Sequence, residues 1–143
     1  MGVWIVGTAS ATLRDVKVNG QGVSISDYLD YPDFDLVPTQ ATLEQVVIDG
    51  TVDAYSAIEI TGADTQVFGQ DVVISGFQGN GVMTSTVAFY VDEARVVMDQ
   101  LSIEGGDFGL YGIDANIRLD QVALNGQVSA IALDGGQALL SEV

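Results

Sequence analysis

Neither cysteine nor histidine occurs in the 143 residues. Their absence excludes disulfide staples, thiolate metal sites, the usual zinc sites and imidazole acid–base chemistry. Basic residues are almost missing too: Arg14, Lys17, Arg95 and Arg118 stand against twenty acidic residues, for a formal net charge of −16. Such a chain repels nucleic acid and anionic membranes, because binding either depends on Lys and Arg neutralising phosphates. Neither is expected as a partner. No apolar run is long enough to span a bilayer, so no membrane insertion is expected. The opening Met1-Gly2-Val3-Trp4 lacks the basic flank and apolar stretch of a signal peptide, and Val6 stands where a myristoylation signal needs Ser or Thr. The chain reads as a segment of a larger protein. Also missing is any apolar stripe of helical period, so helices should be nearly absent.

Nearly half the residues are apolar, which argues for a folded chain with a substantial core. Those residues fall into a repeat. The ten-residue stretch from Ala41 to Gly50, Ala-Thr-Leu-Glu-Gln-Val-Val-Ile-Asp-Gly, recurs at Ala11 to Gly20, Val67 to Gly76, Val96 to Gly105 and Ile117 to Gly126, and begins again at Ala138. Its closing glycines, at 20, 50, 76, 105 and 126, are spaced by 30, 26, 29 and 21 residues. Inside the unit, apolar residues alternate with period two, as a strand facing a core requires. The slots hold across copies: Leu13, Leu43, Met98 and Leu119; then Val16, Val46, Val72, Leu101 and Val122; then Val18, Ile48, Ile74, Ile103 and Leu124. A unit this short cannot bury a face alone, whereas stacked copies turn each slot into a ladder of like residues lining one interior. Asp15, Gln45, Asp71, Gln100 and Gln121 share a corner, where a ladder of short polar side chains can bond from copy to copy. Gly69 departs from the leucine slot and should leave room for Met98 or Phe68.

A second strand precedes each unit, a small residue followed by alternating apolar positions: Gly2-Val3-Trp4-Ile5, Ala57-Ile58-Glu59-Ile60, Ala88-Phe89-Tyr90-Val91, Gly109-Leu110-Tyr111 and Ala130-Ile131-Ala132-Leu133. In the second copy two registers compete, Gly22-Val23-Ser24-Ile25 and Asp33-Phe34-Asp35-Leu36. The latter is preferred because it confines every length variation to one corner, after the glycine, at 21–32, 51–56, 77–87, 106–108 and 127–129.

The Ala-x-Leu-x-x-Val-x-Ile-x-Gly pattern, running through the whole chain, resembles the repeats of right-handed parallel β-helix proteins of the pectin-lyase-like superfamily. The resemblance implies an all-β, right-handed parallel β-helix, a solenoid of about six coils with three short strands per coil, occupying 1–143 as a single domain. It also implies an extracellular or cell-surface location. That fold carries polysaccharide lyases, glycoside hydrolases, tailspikes and adhesins, so activity must be argued from a site. The polygalacturonase-like members use paired aspartates with Gly-His-Gly and Arg-Ile-Lys motifs, both absent here. The pectate-lyase-like members use calcium-binding carboxylates beside an arginine in an Arg-x-Pro-x-x-Arg context, and none of the three arginines has it. The expectation is a non-catalytic scaffold or recognition module, the alternative a fragment of a carbohydrate-active enzyme.

Stacking places Trp4, Asp35, Glu59, Tyr90, Tyr111 and Ala132 in one outward column. Aromatic faces suit the C–H faces of pyranose rings, and carboxylates accept hydroxyl hydrogen bonds, so Trp4, Asp35, Glu59, Tyr90 and Tyr111 are candidate glycan-binding residues. Asp35 and Glu59, on adjacent strands, could also form a carboxylate pair of the kind glycosidases use. The stretch Asp27 to Asp35 combines four aspartates with three aromatics and should protrude beside this column. Asp27, Asp30, Asp33 and Asp35 are candidate ligands for Ca²⁺, although their spacing matches neither an EF-hand nor a calcium-binding β-roll. Phe68, Val97, Val47 and Val73 should point outward, a face suited to a partner. Open ends of such a stack expose apolar interior and strand edges, so end-to-end or face-to-face association of copies, or contact with the rest of a longer chain, is expected.

Overall fold

The computed structural model describes residues 2–7, 10–27, 38–50, 56–77 and 86–143. Among these described residues, thirteen strands run in chain order: β1 (Val3–Val6), β2 (Ala11–Arg14), β3 (Lys17–Asn19), β4 (Val23–Ser26), β5 (Thr39–Asp49), β6 (Ser56–Thr61), β7 (Thr65–Phe77), β8 (Val87–Asp92), β9 (Arg95–Gly105), β10 (Phe108–Ile113), β11 (Asn116–Asn125), β12 (Ser129–Asp134) and β13 (Gln137–Ser141). No helix occurs among the described residues. The protein is all-β.

The strands form two sheets. One has six strands in the order β1-β4-β6-β8-β10-β12; the other has seven, β13-β11-β9-β7-β5-β2, with β3 also paired to β5. Every pairing is parallel. From β4 onward the chain alternates between the sheets and returns each time beside its previous passage. Like residues therefore stack: Leu43 opposes Leu13, Ile48 opposes Ile74, and Ile74 opposes Ile103.

The sequence pattern suggests two strands in each ten-residue unit. The first copy has them, as β2 and β3, whereas in β5, β7, β9 and β11 they run together as one long bent strand. The bend falls on the polar corner ladder, where Asp15, Gln45, Asp71, Gln100 and Gln121 all have positive φ, between 53° and 60°. That conformation turns the chain sharply while leaving inward slots on either side, and its cost to a residue with a Cβ is about 1–2 kcal/mol. Cross-copy bonding offsets part of the cost, since Gln100 Nε2 donates to Gln121 Oε1 at 3.3 Å. Two further corners carry positive φ, at the unit-closing glycines and at the column of Gly7, Gly62, Glu93, Asp114 and Gly135.

Inward residues of both sheets merge into one core, in which Ile25, Leu43, Ile58, Phe89, Met98 and Leu110 are all fully buried. Burying each such side chain contributes about 1.5–3 kcal/mol. Gly69 sits opposite Leu43 and Met98, and a Cβ there would lie 2.9 Å from the Met98 sulfur. The thioether fills the space that the missing leucine leaves.

One register differs from the sequence expectation. The second strand of the six-stranded sheet is Val23–Ser26, with Ser24 between Trp4 and Glu59. The residue before each of these strands meets a neighbouring backbone: a Cβ on Gly22 would lie 2.7 Å from the Ala57 carbonyl oxygen, and one on Gly2 would lie 2.3 Å from that of Gly22. Glycine satisfies this constraint and Asp33 would not. Length variation is accordingly not confined to one corner, because residues 27–38 lie between β4 and β5, on the far side of the strand from the glycine corner.

Candidate functional site

The outer face of the six-stranded sheet carries the column Trp4, Ser24, Glu59, Tyr90, Tyr111 and Ala132, each residue in register with the next. Glu59, Tyr90 and Tyr111 are brought together on adjacent strands, spaced by about 4.8 Å in a parallel sheet. The Tyr90 and Tyr111 rings stack with centroids 6.1 Å apart and planes inclined by 22°. Phe108 leans against Tyr111 at 5.7 Å. The Tyr90 hydroxyl donates to Asp92 Oδ2 at 3.4 Å, which ties the ring to a carboxylate two residues along its own strand. Trp4 is 80% exposed and is separated from Glu59 by the Ser24 strand. It borders a small hollow shared with Ser24 and Glu59. The column thus divides into an isolated indole at one end and a compact Glu59–Tyr90–Tyr111 cluster further along.

Ser24 takes the place in the column expected of Asp35, which lies outside the described residues. Glu59 therefore has Ser24 and Tyr90 as its strand neighbours. Among the described residues, no carboxylate stands beside Glu59 on either adjacent strand.

Asp27 does not protrude. It is 1% exposed, and its Oδ2 accepts a hydrogen bond from the Asp64 backbone N–H at 2.9 Å. Its buried Oδ1 makes no hydrogen bond among the described residues. The carboxylate lies against Gly62 so closely that a Cβ on that glycine would be 1.9 Å from Oδ1. Asp27 borders a hollow with Asp92 and Glu93, yet among the described residues no three acidic side chains gather closely enough to hold a metal ion. Asp30 and Asp33, the other aspartates nominated with Asp27 and Asp35, lie outside the described residues.

The seven-stranded sheet offers a groove of about 400 Å³ that the sequence reading reached only in part. Phe68, 36% exposed, and its register neighbour Val97 form an apolar wall, with Gln70, Asp99, Asp120 and Arg118 around them. The signal available in the sequence was the pair of outward apolar residues. The polar groups opposite them become neighbours only through the register of four stacked strands. Val47 and Val73 also stack on one another, half-buried.

Charge separates the two sheets. Arg14, Lys17, Arg95 and Arg118, which are all the cationic side chains of the protein, sit on β2, β3, β9 and β11 of the seven-stranded sheet. Arg14 pairs with Glu44 and Lys17 with Asp49, the latter at 2.9 Å. Hydrogen bonding to the guanidinium holds the Glu44 carboxyl below its ordinary range, and the Lys17 ammonium does the same for Asp49. Strands of the six-stranded sheet contribute Glu59, Asp92 and Asp134 and no cation.

No helix among the described residues is long and apolar enough to cross a membrane. In comparisons with protein-family profiles, with curated protein sequences and with solved structures, the chain matches none.

Proposed function

We propose that the chain is a rigid, non-catalytic recognition segment of a secreted or surface protein, a right-handed parallel β-solenoid of six coils that binds glycans on its six-stranded sheet. The parallel return of the chain beside its previous passage supports the solenoid reading, as do the three columns of positive-φ corners. The observation that carries the function is the stacked Tyr90–Tyr111 pair with Glu59 in register beside it on an outer sheet face. The stacked ring pair offers an apolar surface for the C–H face of a sugar, and the carboxylates of Glu59 and Asp92 supply hydroxyl acceptors at its margin. Strands fix these groups more firmly than loops would, so little ordering entropy is lost on binding.

A glycan array followed by titration calorimetry tests this. The expected result is an oligosaccharide ligand whose affinity falls about tenfold or more on Tyr90→Ala, a loss of about 1.4 kcal/mol. Phe68→Ala on the opposite sheet should leave it unchanged. Turnover of the bound glycan that is lost on Glu59→Gln would instead favour the reading as a fragment of a carbohydrate-active enzyme. Absence of any glycan ligand, with multimers in light scattering, would favour a self-associating structural segment.

A further inference from the structure

The sheet that carries the tyrosine pair is also the sheet without a cation. Its outward columns hold Glu59 beside Tyr90, and Asp92 accepting the Tyr90 hydroxyl. Asp134 lies two strands beyond Asp92, across Ile113. Nothing on these strands neutralises them, since every Lys and Arg of the protein is on the other sheet. Two consequences follow for a ligand on the rings. An anionic sugar, a uronate or a sulfated residue, would meet carboxylates and no counter-charge, and the net charge of −16 would oppose its approach. A protonated amine would meet the reverse: Glu59 on the strand beside Tyr90, Asp92 two residues along the Tyr90 strand, and aromatic rings, whose electron-rich π-systems attract cations.

We propose that the Glu59–Tyr90–Tyr111 face recognises an oligosaccharide bearing free amino groups, that is, one built of deacetylated amino sugars. This rests on the glycan-binding reading above and adds the sign of the ligand's charge. The ring pair covers the apolar face of one pyranose ring while Glu59 and Asp92 accept hydrogen bonds from ammonium groups at its edge, contacts that are stronger than those to neutral hydroxyls.

The test is calorimetric titration of the protein with three oligosaccharides of equal length near pH 6: fully deacetylated glucosamine, its fully N-acetylated form and oligogalacturonate. The deacetylated form should bind at least about tenfold more tightly than the acetylated one, and the galacturonate should not bind. Glu59→Gln and Asp92→Asn should each weaken the deacetylated ligand severalfold and the acetylated one, which meets these carboxylates through hydroxyls alone, distinctly less. A protein this acidic attracts any polycation, so Glu104→Gln, an exposed position on the other sheet, removes the same charge as a control and should have a much smaller effect. Equal losses from Glu59→Gln and Glu104→Gln would overturn the proposal, showing general charge attraction in place of a site. Tighter binding of the acetylated ligand, lost on Tyr90→Ala, would overturn the charge assignment and leave the glycan reading standing. Binding of none of the three would overturn the proposal, and an empty glycan array would remove the glycan reading as well.

Discussion

The two sheets share one core and one stacking rule, yet they differ in almost everything that faces outward. The six-stranded sheet is built from short, straight strands, carries the stacked tyrosines and has only acidic charge. The seven-stranded sheet is built mainly from strands of ten or more residues, bent at a polar corner, and it carries all the basic residues, two of which, Arg14 and Lys17, pair with its acids. Inward slots are constrained by the same requirement on both, a β-branched or leucine side chain that fills a ladder. Outward slots are free of it, so that is where the two faces diverge. A shared scaffold with divergent faces is the arrangement expected where recognition is placed on a fixed frame.

The largest expected effect separates two glycines that both have positive φ. Gly62, at φ 103°, closes the corner after β6, and a Cβ there runs into the Asp27 carboxylate; Gly50, at φ 65°, follows β5 and has nothing within 4 Å of the same added atom. Gly62→Ala should lower stability by roughly 3–5 kcal/mol, combining strain with a buried clash. Gly50→Ala should cost only the backbone term, about 1–2 kcal/mol. Urea unfolding of both variants measures the difference. If the contact with Asp27 is responsible, adding Asp27→Gly to Gly62→Ala should recover part of the loss, and no recovery would assign the whole effect to backbone strain.

A smaller effect should appear at the bend of the seven-stranded sheet. Gln121, at φ 53°, accepts from Gln100, so Gln121→Val places a β-branched side chain in a left-handed conformation and removes the bond. A loss of about 1–3 kcal/mol is expected. Gln121→Gly should come out near neutral, because relief of strain balances the lost bond and the more flexible unfolded chain. Equal losses for valine and glycine would make the amide ladder, and not the backbone conformation, the reason for the residue choice at this corner.

Much of this was legible in the chain because a strand repeat is read twice, once along each strand and once down each ladder. The slots at Leu43, Val46 and Ile48 and their copies follow from periodicity alone, as does the corner at Gln45; for the gap at Gly69 the sequence leaves Met98 and Phe68 open, and the structure places the Met98 thioether there. In the second copy, confining length variation to one corner and the small-residue rule point to different registers, and the small-residue rule prevails in the structure. Gly22 meets that rule and Asp33 does not, and the close approach to the Ala57 carbonyl is a constraint invisible until strands are stacked. The register that confines length variation places Asp35 in the outward column and leaves Ser24 out of it. Asp27 was read by its acidic neighbours in sequence, whereas its burial comes from Gly62 and Asp64, more than thirty residues later. The tyrosine pair was legible because Tyr90 and Tyr111 stand in the same slot of adjacent copies. The absence of cations from their sheet became visible only once each strand was assigned to a face.

The smallest effect concerns the ion pairs that only the seven-stranded sheet possesses. Glu44 and Asp49 have carboxyl groups held below their ordinary range by Arg14 and Lys17. A depressed folded-state value means that the folded form releases its proton more readily than the unfolded chain. The stabilisation is therefore present above the ordinary carboxylate range and is lost as pH falls through the lowered values. Both pairs are solvent-exposed, so screening keeps the contribution slight and salt should weaken it further. The double variant Arg14→Gln, Lys17→Gln should melt slightly below the parent near pH 7 at low salt, and the gap should close both in about 1 M salt and near pH 2. Removing two positive charges also raises the net negative charge, which lowers stability at neutral pH by self-repulsion wherever the charges sit. Arg95→Gln, Arg118→Gln, which removes the same charge from the same sheet, separates the two causes. If both double variants melt alike, the ion pairs contribute nothing of their own, and the difference between the sheets is one of net charge alone.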